Sequence, residues 1–349
     1  MSGKKQHFIP QVLLRGFGIP RNKKTYVYVF PYERPIFEVA TDGVGAARYF
    51  YSKLNEDNDE KTLDDKITEY ENSQKAILLK LREQPKNEAI DGTAVAELVT
   101  HLSIRNAHFR DATTDGVQLL FEEAVGIFQD RDRTRRALGL DGHQPSAAII
   151  DSLNEMIADY RETFQSLGMT DDQVRDWALS QAGPLFEQNF GGLAAEIATV
   201  FDTFAPRISN IGKEAQLAAL EKDLAPEARR KAFEGFVWEV VDKADQDFLL
   251  PDCVAIALTD EGPRPASLAG ADDTNAIIMP LSSTRLILGT SERPYVFPAN
   301  VNKTMAACSW DFFVAPTYDP IFVELHADVR AISKQFFQDM IEQVTSEYD

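Results

Sequence analysis

Residues 25–31 read Thr-Tyr-Val-Tyr-Val-Phe-Pro, a run of β-branched and aromatic side chains closed by a proline. Such side chains fit the pleated surface of a sheet, and a proline cannot continue its ladder of N–H donors. The run therefore predicts a β-strand. Residues 36–40 and 48–51 are shorter strand candidates, so we expect a small β region near the start of the chain.

Beyond this region the pattern becomes helical. From about residue 62, apolar side chains recur every three or four positions, the period of a helix with one buried face. Asp91 is a suitable N-cap for the second helix, whose apolar stripe includes Val95, Leu98 and Leu102. Further helices are predicted for residues 116–130, 146–167, 171–182, 184–205 and 226–234.

A second β region begins near residue 236. Strand candidates cover residues 236–241, 248–250, 253–258, 276–279, 285–288 and 311–315, with proline and glycine in the gaps. A short helix is expected at residues 300–309, and residues 320–347 read as a terminal amphipathic helix.

Strands at both ends with helices between them predict the α+β class. We expect a mixed β-sheet built from N- and C-terminal segments, with a large helical insertion. The corresponding segments are 1–55, 56–234 and 235–349, of which the first and last are expected to form one domain. Two domains placed side by side fit the same pattern.

The net charge of −19 is unevenly distributed. The first 34 residues carry seven lysines and arginines against one glutamate, so the remainder is more acidic than the total. An acidic body repels nucleic acid at long range, and a polyanion would have to bind a local basic patch. The N-terminal segment and the arginine-rich residues 131–136 are the candidates. For each, the alternative is a solvated surface or an intramolecular partner for acidic residues.

Several protein classes are disfavoured by what the sequence lacks. No apolar run approaches the ~20 residues that cross a bilayer, and no signal-type segment is evident, so we expect a cytoplasmic protein without a membrane partner. Neither a phosphate-binding Gly-rich loop nor a Gly-x-Ser-x-Gly turn occurs. Cys253 and Cys308 are interpreted as buried thiols. No metal ligand set is assigned, and the nature of any cofactor is unknown at this point.

Residues 7–18 read His-Phe-Ile-Pro-Gln-Val-Leu-Leu-Arg-Gly-Phe-Gly and combine titratable and cationic groups. His7 could act as a general base, a phosphate contact or a ligand, because an unperturbed imidazole titrates near pH ~6.5. The alternative is a histidine that bonds a backbone carbonyl in a turn.

His101, Arg105 and His108 are separated by four and then three residues, which places them on one face of the second predicted helix. Arg110 follows just beyond them. Arginine offers bidentate contacts to phosphate or carboxylate, and histidine can carry a proton. The spacing therefore suggests an anion site, whereas the alternative is a solvated or partner-facing side of the helix.

The N-terminal motif resembles the opening of the bacterial domain of unknown function family 4238, which has His-x-x-Pro, a leucine-arginine step and a phenylalanine. Similar positions continue in order along nearly the whole chain, at Arg48–Tyr51, Glu71, Arg105, Arg110, residues 249–254, residues 280–282 and Asn302. Pro251 and Cys253 depart from the family pattern around Asp252, which weakens a chemical role for that carboxylate. The resemblance implies candidate positions but no reaction.

The first hypothesis is a hydrolase of phosphodiester or nucleotide bonds, a nuclease-like effector with one cleft between the helical insertion and the sheet. The catalytic residues would be His7, Asp252 and Glu71, and the substrate-binding residues would be Arg15, Arg105, His101, His108 and Arg110. His7 would transfer the proton and the arginines would hold phosphate.

The second hypothesis is a non-catalytic binding or regulatory protein of a defence or stress system, whose partner would be a protein, a nucleotide or a nucleic acid. It is motivated by the missing catalytic signatures, the acidic body and the long final helix. A third interpretation is that His7, Pro10 and Arg15 only lock the N-terminus onto the sheet. Whether the chain is an enzyme stays open at this point.

Overall fold

A computed structural model of the chain describes residues 5–51, 62–86, 88–140 and 145–346. It divides into two compact units, one of Met1–Asp115 with Asn210–Phe336 and one of Gly116–Ser209 with Phe337–Asp349. The boundary expected after residue 55 lies outside the described residues, and residues 234 and 235 both fall within the first unit. No helix in the described ranges has the length and apolar character needed to cross a bilayer.

The elements are numbered along the chain. The strands are β1 (Lys5–His7), β2 (Ile19–Arg21), β3 (Lys24–Pro31), β4 (Phe37–Ala40), β5 (Ala46–Arg48), β6 (Val237–Asp242), β7 (Leu250–Pro251), β8 (Ile256–Thr259), β9 (Gly262–Pro265), β10 (Thr274–Ser282), β11 (Arg285–Thr290) and β12 (Phe312–Ala315). The helices are α1 (Gln11–Leu14), α2 (Leu63–Glu83), α3 (Gly92–Arg105), α4 (Ala107–Gln129), α5 (Arg131–Ala137), α6 (Ala147–Asp159), α7 (Arg161–Ser166), α8 (Asp171–Lys222), α9 (Glu227–Glu234), α10 (Val301–Cys308), α11 (Pro320–Leu325) and α12 (Ala331–Thr345).

The strand predicted from residues 25–31 is β3, and it joins the two ends of the chain. β3 pairs antiparallel with β12, which sets Phe30 opposite Phe313. These two rings stack with centroids 4.6 Å apart, and both side chains are fully buried. β2, β4 and β7 complete this sheet. The α+β class and the sheet built from both terminal segments are therefore confirmed.

The strand directions differ from those of the expected mixed sheet. Every pair of neighbouring strands in the described residues runs antiparallel. A second sheet has the order β6-β11-β10-β8-β9, and β1 pairs with β5. Tight turns join β8 to β9 and β10 to β11, and such hairpins do not need the helical crossover that parallel neighbours require.

Two helices expected in sequence form a single one. Residues 171–182 and 184–205 both belong to α8, which continues through Pro184 and Pro206. Each proline removes a helical hydrogen bond, and α8 nevertheless continues across both. Within the second unit, the Phe201 ring of α8 packs edge-on against Phe121 of α4, with centroids 4.5 Å apart.

The expected terminal helix at residues 320–347 is interrupted. α11 ends at Leu325 and α12 begins at Ala331, because Arg330 between them adopts a φ of 76°. The Arg330 N–H donates to the Ser309 carbonyl at 2.9 Å, and its Nε donates to the Trp310 carbonyl at 3.0 Å. These bonds hold Arg330, between α11 and α12, against the segment that leads into β12.

Candidate functional site

Helix α3 places the predicted His101 and Arg105. The helix starts after Asp91, whose carboxylate accepts hydrogen bonds from the N–H groups of Thr93 and Ala94 at 3.1 and 3.2 Å. Every residue from Leu98 to Arg105 is buried. A helix buried on all sides has no solvated face, so the apparent surface cluster of the sequence is enclosed.

The Arg105 side chain, only 1% exposed, is surrounded by hydrogen-bond acceptors. Its Nη2 donates to the backbone carbonyl of His7, and its Nε donates to the Tyr51 hydroxyl at 3.2 Å. Its Nη1 forms an ion pair with Glu71 and lies 3.5 Å from His101 Nε2. The Tyr51 hydroxyl in turn donates to the Arg105 carbonyl at 2.9 Å.

These contacts give Arg105 a structural position. Its charge is compensated by Glu71, its three nitrogens all contact protein acceptors, and its side chain is enclosed, so Arg105 does not present its guanidinium to a phosphate. The structure does bring Arg105 to His7, but through the main chain of His7 and not through its imidazole. Arg105 therefore ties β1 to α2 and α3, which agrees with the locking interpretation of the N-terminal segment.

His101 is part of the same buried network. Its side chain is completely enclosed, its Nδ1 lies 2.8 Å from the Leu224 carbonyl, and its ring lies 4.6 Å from that of Tyr70. Since Nδ1 must donate to this carbonyl, Nε2 is unprotonated and faces Arg105. Burial lowers the pKa of His101 to about 4, so the ring is neutral at physiological pH. This environment does not present His101 to a substrate.

The imidazole of His7 instead contacts Gln11 of α1, which in turn is bound by Arg15. His7 Nε2 lies 3.1 Å from Gln11 Nε2, and Gln11 Oε1 accepts a hydrogen bond from Arg15 Nη2 at 2.7 Å. Because the amide oxygen of Gln11 is bound by Arg15, its amide nitrogen donates to an unprotonated His7 Nε2. Burial, Lys5 and Arg105 lower the pKa of His7, which agrees with this neutral state.

Gln11 and Arg15 also border a cavity of about 550 Å³, which we call the basic pocket. Its other lining residues are Lys23, Lys24, Thr25, Ala40, Thr41 and Asp42. Lys23 lies in the tight turn between β2 and β3, where Asn22 and Lys23 have φ values of 47° and 67°. Lys24 forms an ion pair with Asp42 at 3.0 Å.

Gln11, Lys23 and Lys24 were not among the predicted site residues. The excess of cations before residue 34 was a signal for this region. The sequence Arg-Asn-Lys-Lys at residues 21–24 also fits a hairpin turn, because asparagine tolerates positive φ. Such a turn returns the chain beside α1, which is the step that places Lys23 and Lys24 near Arg15.

Asp252, predicted as catalytic, lies elsewhere in the first unit. It follows β7, is 2% exposed and accepts hydrogen bonds from the N–H groups of Trp310, Asp311 and Phe312 at 2.9, 2.6 and 3.1 Å. Burial and the nearby Asp311 raise its pKa to about 7, against the effect of these N–H donors. The carboxylate fixes the turn before β12.

His108 is found beside Asp252 and not beside His101. It lies in the first turn of α4, is buried, and its Nε2 is 3.4 Å from Ser333 Oγ. Burial lowers the pKa of His108 to about 3. The predicted residues thus fall into two sets, one around Arg105 and one around Asp252, and no hydrogen bond or ion pair between described residues joins Asp252 to His7 or Glu71.

Arg110, in the first turn of α4, binds the main chain of the segment that follows β5. Its Nη2 donates to the Phe50 carbonyl at 2.9 Å, and its guanidinium lies 3.6 Å from the centre of the Phe50 ring. Its Nε donates to Gln216 Oε1 at 3.0 Å. Burial lowers the pKa of Arg110 to about 10, which leaves it charged at neutral pH. These contacts hold Arg110 in an internal position.

A family model described as a protein of unknown function (DUF4238) matches residues 5–344. The chain belongs to this family. Among curated proteins and among solved structures, nothing matches the chain significantly.

Some of the positions that resemble DUF4238 motifs have the same physical role in this chain. Several use a polar side chain to bind the main chain of a distant segment, as Arg105 does with His7. Asn302 Oδ1 accepts from the Leu249 N–H at 3.1 Å, and its Nδ2 donates to the Asp247 carbonyl at 2.8 Å. Contacts of this kind fasten segments far apart in sequence, so these DUF4238 positions stabilise the fold.

The second basic candidate of this DUF4238 chain, residues 131–136, is engaged within the second unit. Arg131 and Arg135 both form ion pairs with Glu187, at 2.7 and 3.1 Å, and Arg133 pairs with Glu123 at 2.6 Å. These pairs agree with the interpretation of this run as an intramolecular partner for acidic residues.

Proposed function

We propose that the protein binds a small phosphate-bearing ligand, such as a nucleotide, in the basic pocket. The observation that carries this proposal is the set of three cations, Arg15, Lys23 and Lys24, that line one cavity with one carboxylate, Asp42. A doubly charged phosphate would balance this excess, since both Arg and Lys form charge-assisted hydrogen bonds with phosphate oxygens.

Arg15 is the best placed of these cations. It is exposed, and its hydrogen-bond partner is the neutral amide of Gln11, so its charge is not compensated in the way that Glu71 compensates Arg105. The Gln11 bond also orients the guanidinium at the edge of the cavity. A fork of fixed orientation favours bidentate binding of a phosphate group.

The charge of the whole chain favours a small ligand over a long nucleic acid. The basic pocket lies in the cationic N-terminal segment, so the remainder of the chain is more acidic than the net charge of −19. An extended polyanion that reached beyond the pocket would be repelled by this acidic remainder. A mononucleotide fits within the cavity and avoids this repulsion.

Calorimetric titration of the full chain with ATP, inorganic phosphate and a short single-stranded DNA tests the proposal. Arg15→Gln and Lys23→Gln should each weaken ATP binding about tenfold or more, since a charged hydrogen bond contributes about 1.5–3 kcal/mol. Arg21→Gln is the matched control, because Arg21 lies on the same hairpin, pairs with Glu38 and lies outside the pocket lining. Absence of saturable binding to wild type, or equal losses in all three variants, would refute the proposal.

A second candidate is the hydrolysis of a bound phosphodiester or nucleotide, and the state of His7 favours it. The ring is neutral, and its Nε2 lone pair, which accepts from the Gln11 amide, would serve as the base once a bound phosphate draws Arg15 and Gln11 away from it. Glu71 and Asp252 have no role in this hydrolysis hypothesis. Glu71 is paired with Arg105, and Asp252 accepts hydrogen bonds from the backbone N–H groups before β12.

Hydrolysis is tested with bis(p-nitrophenyl) phosphate and ATP as substrates. If His7 is the base, His7→Gln should abolish turnover while ATP binding stays within about twofold of wild type, a change below 0.5 kcal/mol on the affinity scale. Arg15→Gln should weaken both. A wild-type protein that binds ATP but turns over neither substrate would leave binding as the function.

A further inference from the structure

A second group of chemically active side chains lies where β7 ends. Asp252 and Cys253 meet His108 of α4 there, and one ligand atom from each residue lies within 4.8 Å of the other two. All three side chains are buried, and Cys253 is a free thiol. A nitrogen, a carboxylate oxygen and a sulfur thus converge in the interior of the first unit.

Neighbouring residues hold this group in place. The three N–H donors of residues 310–312 fix the Asp252 carboxylate. Asn106 Nδ2 donates to the Cys253 carbonyl at 3.0 Å, while Asn106 Oδ1 accepts from the Phe109 N–H at 3.0 Å. Asn106 therefore connects Cys253 directly to the first turn of α4, which carries His108. Metal sites depend on this kind of support around their ligands.

The hydrogen bonds of His108 leave one ring nitrogen for a ligand. Ser333 Oγ donates to the Cys308 carbonyl at 2.8 Å, so it can only accept from His108 Nε2. Nε2 then carries the proton and Nδ1 has a free lone pair. Nδ1 is buried and has no hydrogen-bond partner among the described residues. A metal-bound histidine typically donates its other N–H to an oxygen in this way.

The charge of the group also calls for a cation. The hydrogen-bond donors to Asp252 are neutral backbone groups, and a buried carboxylate without a positive partner is energetically costly. A divalent ion bound here would give the Asp252 carboxylate a positive partner.

We propose that His108, Asp252 and Cys253 bind a zinc ion. Mixed nitrogen, sulfur and oxygen ligands suit zinc, whereas magnesium and calcium require mostly oxygen. All three side chains are buried, so we assign the ion a structural role. The ion would join the end of β7 to the first turn of α4, and it is independent of the basic pocket.

Metal analysis of the full chain, purified without chelators, tests this assignment. We expect about one zinc per chain, retained on dialysis because buried structural zinc binds tightly. Protein produced with cobalt should show sulfur-to-cobalt absorption in the near ultraviolet and the visible bands of tetrahedral cobalt. A correctly folded wild type that holds no zinc, even after incubation with Zn²⁺, would overturn the proposal.

Variants assign the ligands. Cys253→Ser should lose zinc and the sulfur-to-cobalt absorption, whereas His101→Gln, which alters a buried histidine outside the group, should keep both. Retention of zinc by Cys253→Ser would refute the site. If a variant fails to fold, urea unfolding of wild type in the presence of a zinc-binding dye gives the same answer. Zinc should then appear only as the chain unfolds.

Discussion

At the scale of residues, the same side-chain type has different roles according to its partners. Arg105 and Arg15 both belong to motifs that suggested phosphate binding. Arg105 is enclosed and paired with Glu71, while Arg15 is exposed and bound by a neutral amide. Only Arg15 retains a charge that a ligand can use, so accessibility and charge compensation separate a structural arginine from a binding one.

Arg105→Gln should destabilise the protein by about 3 kcal/mol, because it leaves Glu71 and the His7 carbonyl without their partner. Urea unfolding at neutral pH measures the effect. Arg15→Gln is the control and should change the free energy of unfolding by less than about 0.5 kcal/mol. An Arg105→Gln protein as stable as wild type but deficient in ATP binding would contradict the structural role.

His101 predicts a specific pH dependence. Its folded pKa of about 4 lies below the ordinary value of 6.5, so the unfolded chain takes up the proton first as the pH falls. The contribution of His101 to stability is full above pH 6.5 and decreases below it. Below pH 6.5 this contribution to the free energy of unfolding falls by up to about 1.4 kcal/mol per pH unit, until the folded ring titrates near pH 4.

Urea unfolding of wild type and His101→Gln between pH 7.5 and pH 4 isolates this dependence, since the variant lacks the titrating ring. The stability difference between the two proteins should be constant above pH 6.5 and shrink below it. A difference that does not change with pH would show that the ring is not held in its neutral form.

At the scale of elements, the break between α11 and α12 shows how a single residue sets a helix boundary. Arg330 adopts a left-handed backbone, which costs an L-residue about 1 kcal/mol or more. Its guanidinium lies 4.3 Å from the centre of a Trp310 ring and 4.4 Å from the centre of the Tyr32 ring. These contacts and the bond to the Trp310 carbonyl offset the strain.

Replacing Arg330 separates the backbone effect from the side-chain effect. Arg330→Ala loses the side-chain contacts and keeps the cost of a positive φ, because alanine also carries a Cβ, so it should be destabilised by about 2–3 kcal/mol. Arg330→Gly loses the same contacts but relieves the backbone strain, so it should be more stable than Arg330→Ala by about 1 kcal/mol. Thermal unfolding of both variants measures this order. The reverse order would mean that the positive φ is not retained.

At the scale of the whole molecule, the sequence predicted the fold class because strand patterns are local. Residues 25–31 and 311–315 each carry enough β-branched and aromatic side chains to be recognised alone. Their direct pairing, and the antiparallel direction of the sheets, depend on contacts between distant segments. The local preference of proline also failed to predict α8, which continues through Pro184.

The site was harder to predict than the fold for a related physical reason. The periodicity of α3 placed His101 and Arg105 on one face, which the structure retains, but it could not show that this whole helix end is buried. It also could not show which part of His7, the ring or the carbonyl, would meet Arg105. Burial and ion pairing are set by neighbours from α2 and β5, and these neighbours are not visible in a local pattern.

The pairing of β3 with β12 has a consequence for synthesis of the chain. A ribosome adds about 10 residues per second, so roughly half a minute separates the emergence of the two strands. During that time the backbone groups of β3 that pair with β12 have no partner, and the aromatic side chains of β3 are exposed beside them. Cells that make this protein must keep the early hairpins from joining other nascent chains until the last strand arrives.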